Sequence, residues 1–164
     1  ETLEKISGIS DKAILESLAK EFKSIYDTAG YKNTEIFPGI TNMLRNLKDR
    51  GAKIFIATNK RILPTMKIID FLKWDDIFEN VYSLDSFSPS ANSKGEILKE
   101  LLKTNDITED VVYIGDREDD SLAAIENKIP YLMVSWGYDV KIKHIISKNY
   151  KTFSSVRLFN KFLL

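Results

Sequence analysis

Between Val111 and Asp120 an apolar run, Val111-Val112-Tyr113-Ile114, stops at Gly115 and opens into four acids within five positions: Asp116, Glu118, Asp119 and Asp120. Carboxylates carried to the C-terminal end of a buried strand and followed by a helix are where open α/β sheets place ligands and hard cations. Magnesium takes oxygen ligands and keeps several waters, so one or two carboxylates and a substrate phosphate suffice to hold it. Asp116 stands directly after the run, and Asp120 can face the same cavity from the first helical turn. The alternative is that the acids cap a helix and complement its N-terminal end, although one cap does not need four of them.

Two shorter stretches have the residue types to meet a phosphate. Thr58-Asn59-Lys60 ends the run Lys53-Ile54-Phe55-Ile56-Ala57. A hydroxyl and backbone N–H groups at such a strand-to-helix turn bind phosphate oxygens with little reorganisation; alternatively, Thr58 caps the next helix. In Ser93-Lys94-Gly95 the lysine either folds back toward an anion from a helix start or remains a solvated surface residue.

Periodicity predicts the elements that carry these residues. Apolar positions at helical spacing predict a helix over 10–26, capped by Ser10 or Asp11, and another from Ile40 through Leu47 ending near Gly51, with a hinge over 31–35. Residues 53–58 read as a strand buried on both faces. Helix over 64–72, strand over 80–84, helix over 94–103, strand over 111–114, helix over 121–127, strand over 131–135 and a short helix over 140–146 follow, and a last helix carries Phe159, Phe162, Leu163 and Leu164. The alternation predicts an α/β fold with a parallel sheet covered by helices on both faces. Trp74 and Trp136 read as packing anchors, and His144, on the basic helix over 140–146, as a surface or partly buried residue.

Bulk properties narrow the function classes. With 164 residues, 43% of them apolar, the chain accommodates one domain and a small appendage. Its 24 basic and 24 acidic side chains balance, which gives no support to a nucleic-acid or anionic-membrane partner. The absence of cysteine removes disulfides, thiolate metal sites and cysteine nucleophiles, and fits a cytoplasmic location. No apolar run approaches the roughly 20 residues that span a bilayer.

Taken in order, strand-Thr58, Lys94 at a helix start and strand-Gly115-Asp116-x-x-x-Asp120 resemble the second, third and fourth motifs of the haloacid dehalogenase superfamily, in its phosphoglycolate-phosphatase-like branch. The likeness runs from about Phe37-Pro38-Gly39-Ile40 to Val134-Ser135-Trp136-Gly137-Tyr138. It implies a Rossmann-like core over 36–164 and, over 1–35, part of the small helical cap that these enzymes insert above the site. It further implies a magnesium-dependent phosphatase acting on a small phosphorylated substrate. Thr58 and the backbone at Asn59 would hold phosphoryl oxygens, Lys94 would balance charge, Asp116 would ligate magnesium, and Asp120 would support Lys94 or the metal's water shell.

In that superfamily the first aspartate of an Asp-x-Asp motif, ending the first and central strand, attacks phosphorus, and the second serves as general acid and base. No Asp-x-Asp occurs here, and neither Asp75-Asp76 nor Asp85 has the required setting. The core is therefore expected to lack its first strand and to leave a gap between the strands ending at Thr58 and Gly115. The nucleophile is expected upstream of Glu1. A partner chain supplying the strand, and a divergent relative that closes the sheet without it, are the alternatives. The competing functional reading is a non-catalytic phosphate-binding or protein-interaction domain.

Overall fold

The structure, a computed structural model, describes residues 2–137 and 150–163. In chain order the elements are α1 (Thr2–Ser7), α2 (Lys12–Thr28), a 3-10 turn (Gly30–Asn33), α3 (Ile40–Asp49), β1 (Phe55–Thr58), α4 (Ile62–Phe71), β2 (Asn80–Ser83), a 3-10 turn (Leu84–Ser86), α5 (Lys94–Thr104), β3 (Tyr113–Gly115), α6 (Glu118–Glu126), β4 (Tyr131–Val134), β5 (Lys151–Phe153) and α7 (Val156–Leu163). Asp11 caps α2 by accepting from the backbone N–H groups of Ala13 and Ile14 at 2.9 and 3.1 Å.

Every strand pair is parallel, as the α/β alternation requires, but the strands fall into two sheets, β1-β2 and β3-β4-β5. Among the described residues β1 and β3 therefore each keep one edge without a strand neighbour. The apolar core divides in the same way. Tyr82, Ile97 and Leu101 bury themselves with Phe55, Ala57 and Leu102 between α5 and the first sheet. Met43, Val134, Phe153 and Phe159 pack with Trp136, Leu44 and Leu163 between the second sheet and helices α3 and α7.

Several element bounds differ from the periodicity, each for a local reason. β3 begins at Tyr113 and not at Val111. Its ladder starts where Tyr113 N–H donates to Pro130 O at 2.8 Å, and Pro130 has no N–H with which to extend it backwards. Val112 and Ile114 are each 39% exposed, so this strand is not a buried one. β1 is likewise only half-buried along its length, because its free edge borders a cleft. α4 starts two residues before Pro64, which then lies in the first turn where a missing N–H costs nothing. Short elements with few apolar residues, α1 and β5, had no periodic signal. The expected helix over 140–146, with His144, lies outside the described residues. No helix among them is long and apolar enough to cross a membrane.

Candidate active site

The C-terminal ends of β1 and β3 open on one cleft of about 620 Å³, whose lining includes Thr58, Asn59, Lys60, Lys94, Asp116 and Asp120. All five residues singled out in the sequence (Thr58, Asn59, Lys94, Asp116 and Asp120) thus meet in one place. Thr58 closes β1, and its Oγ1 accepts from the Lys60 backbone N–H at 3.1 Å, which turns the chain toward α4. The first N–H of that helix is capped from elsewhere: Ile62 N donates to Asp85 Oδ1 at 2.9 Å. Asp85, which also accepts from Ser83 Oγ at 2.6 Å, therefore has a structural role. Burial opposes its charge, but these hydrogen bonds hold its carboxyl below the ordinary value. Asp76 is engaged away from the cleft, with Arg45 at 3.0 Å.

Lys94 reaches the cleft because α5 and α6 approach closely. A Cβ at Gly95 would meet the carboxylate end of the exposed Glu126 side chain, which can swing away. Asn127 Nδ2 ties the two helices by donating to Gly95 O at 3.0 Å. Lys94 Nζ then donates to Asp120 Oδ1 at 2.5 Å and to Asp119 Oδ2 at 3.2 Å, with the Lys94 and Asp120 side chains only 9% and 6% exposed.

Asp120 is fully engaged. Its Oδ1 also accepts from Tyr113 Oη at 3.1 Å, and its Oδ2 accepts from the backbone N–H groups of Asp116 and Arg117 at 3.1 and 3.0 Å. One oxygen caps α6 while the other holds Lys94, so this aspartate combines capping with the Lys94 contact. A Cβ at Gly115 would collide with this carboxylate. Burial first, then the neighbouring Asp120 charge, pushes the Tyr113 hydroxyl far above its usual range, so it remains a donor.

Three participants were not assigned roles from sequence. Asp119 spans the cleft, accepting from Asn59 Nδ2 at 2.9 Å and from Arg117 Nε at 3.3 Å as well as from Lys94. Burial raises its pKa, but Lys94 and Arg117 outweigh this and hold it below the ordinary value. Tyr113 shares a strand face with Gly115, an alternation that is readable from spacing once the strand is placed. Gly137, after β4, seats the Asp116 carboxylate, because a Cβ there would overlap it. Among the described residues no group of three or more acids or histidines converges on one point.

Above the cleft, α2 is docked on the start of α4. Asp27 accepts from both terminal nitrogens of Arg61, at 2.9 and 2.5 Å, and Lys67 Nζ donates to Asp27 O at 2.6 Å. The Arg61 hydrogen bond holds the Asp27 carboxyl below its ordinary value, against a smaller desolvation effect.

The sequence profile of the haloacid dehalogenase-like hydrolases matches residues 1–134. A phosphoglycolate phosphatase from Psychrobacter arcticus is 29% identical over 84% of this chain and 60% of its own length. A second, from Caulobacter vibrioides, is 29% identical over 74% of this chain and 52% of its own length. The chain thus spans between half and two thirds of these relatives. Its fold is that of a haloacid dehalogenase-like family hydrolase from Streptococcus pneumoniae, with a TM-score of 0.80, 22% identity, and coverage of 96% of this chain and 74% of that one. Taken with the motif order around the cleft, these matches show that the chain belongs to the haloacid dehalogenase-like hydrolase family, with phosphoglycolate phosphatases among its relatives.

Proposed function

We propose that the complete protein is a magnesium-dependent phosphomonoester hydrolase acting in the cytosol on a small phosphorylated metabolite. The observation that carries this reading is the convergence of Thr58, Lys94 and Asp116 on one cleft at the ends of β1 and β3. Phosphoryl transfer consists mostly of positioning and stabilisation of oxygen charge, which a hydroxyl, an ammonium and a divalent cation supply.

In this reading the Thr58 hydroxyl and the Asn59 backbone N–H hold phosphoryl oxygens. Lys94 balances their charge, and Asp120 is the positioning residue that fixes Lys94. Asp116, which follows β3 directly and lines the cleft, would ligate magnesium. Phosphate, water and an aspartate motif outside this chain would complete its ligands. A cation held there would supply neutralisation of phosphoryl charge.

The attacking aspartate comes from outside the 164 residues, upstream of Glu1 or from a partner, on a strand that enters the cleft between β1 and β3. Residues 1–35 belong to the cap and 36–164 to the core. A second reading, a phosphate-binding domain without turnover, is favoured by the absence of Asp-x-Asp and of a converging ligand set among the described residues.

The test is phosphate release by the complete protein from a broad panel of phosphomonoesters, with magnesium and with chelator. Release that needs the metal and disappears in Asp116→Asn supports the hydrolase. Phosphate binding without release from any compound supports the second reading.

A further inference from the structure

We propose that Asp119 is an internal anion that competes with phosphate for Lys94 and the Asn59 side chain, so that phosphate enters and leaves the cleft by exchanging with this carboxylate. This rests on the phosphatase reading only in that phosphate binds between Lys94 and the Thr58–Asn59 turn.

The first argument is position. A single oxygen, Asp119 Oδ2, accepts from Asn59 Nδ2 at 2.9 Å and lies 3.2 Å from Lys94 Nζ. Asn59 follows β1, Lys94 opens α5, and both line the cleft. The carboxylate thus puts one anionic oxygen between donors from two separate elements, the arrangement that a phosphoryl oxygen held by the same residues would adopt.

The second argument is charge. The ammonium of Lys94 already faces two carboxylates, Asp119 and Asp120. A phosphate dianion brought to Lys94 with both acids in place meets an excess of negative charge at close range. One of the two acids has to yield.

The third argument identifies which one. Asp120 is 6% exposed and is tied to the Tyr113 hydroxyl and to the backbone N–H groups of Asp116 and Arg117. The Asp119 side chain is 39% exposed, and among the described residues its polar contacts run to side chains alone: Asn59, Lys94 and Arg117. The Arg117 side chain is itself 55% exposed, so Asp119 can turn toward solvent and keep that partner. Lys94 stays in place on Asp120 meanwhile. Exchange with phosphate therefore breaks no backbone contact, and the exposed pairing given up is a weak one. By returning to Lys94 and Asn59, Asp119 lowers the affinity of the site for free phosphate and favours its departure after hydrolysis.

The test is the affinity of orthophosphate for the complete protein, measured by calorimetry with magnesium present, in the wild type, Asp119→Asn and Glu118→Gln. Asp119→Asn removes the competing charge at nearly constant size, and roughly tenfold tighter binding is expected. Glu118→Gln removes the same charge from the exposed neighbouring position and should change the affinity by less than about twofold. A damaged fold loses affinity, so a gain reports the removed competitor. Equal or weaker binding by Asp119→Asn that circular dichroism shows to be folded, or an equal gain in Glu118→Gln, overturns the competition; with wild-type binding intact, it leaves the phosphate cleft standing. Absence of phosphate binding in all three proteins overturns the phosphatase reading and the competition together.

Discussion

Replacing Lys94 with methionine separates a built site from a solvated surface lysine. Methionine keeps an unbranched apolar stem, with a thioether sulfur in place of one methylene, and removes the ammonium. Asp120, whose side chain is 6% exposed, then loses its cationic partner in a buried setting. Breaking a buried pair from one side costs about 3 to 5 kcal/mol. Asp120 keeps the Tyr113 hydroxyl and two backbone N–H groups as donors, which places the expected loss at the lower end, about 3 kcal/mol. Asp119 also loses a partner, but at 39% exposure and with Asn59 and Arg117 still in place it adds little. With a urea slope of about 2 kcal/mol/M, the unfolding midpoint should fall by about 1.5 M. Neutralising the carboxylate in the same chain, Lys94→Met with Asp120→Asn, should recover part of the loss. A midpoint within about 0.3 M of wild type for Lys94→Met would refute the buried pair and return Lys94 to the surface.

Three further outcomes follow from neighbouring contacts. Gly137→Ala places a Cβ on the Asp116 carboxylate, so magnesium affinity measured by titration should fall at least tenfold while the unfolding midpoint moves less; unchanged affinity would show that Asp116 does not need that seat. Tyr113→Phe deletes one hydrogen bond to a buried carboxylate and should cost about 1.5 kcal/mol in urea unfolding, whereas no measurable loss would mean that Asp120 does not rely on the hydroxyl. Asp27 has a folded pKa below its unfolded one, so its contribution to stability is present above the ordinary carboxylate value and is lost as pH falls through the folded value. Asp27→Asn should therefore flatten the acid limb of the stability profile, and an unaltered limb would contradict the Arg61 pairing.

Strand-to-helix turns made the site residues legible. Thr58, Asp116 and Asp120 could be placed because an apolar run ending in a hydroxyl or an acid fixes both the edge of the sheet and the start of the next helix. What Asp120 does there was not legible, because its four hydrogen bonds depend on the turn at Gly115–Arg117 and on a lysine in α5. Asp119 looked like one more capping acid, since its partner Asn59 lies sixty residues away. The bounds of β3 were hidden for the same reason, being set by Pro130 in a different segment. Gly137 was visible only as part of a family resemblance, and its physical reason is the Asp116 carboxylate that it accommodates. Among the described residues the strands ending at Thr58 and Gly115 lie in two sheets, each with its own apolar cluster.

The most direct test of the central claim is a residue-resolved NMR titration of the complete protein with orthophosphate in the presence of magnesium. The account predicts that the largest amide shifts fall on Thr58, Asn59, Lys60, Lys94 and Asp116, and that they vanish in Thr58→Val. Saturable shifts centred away from the ends of β1 and β3, or no shifts up to tens of millimolar phosphate, would contradict it.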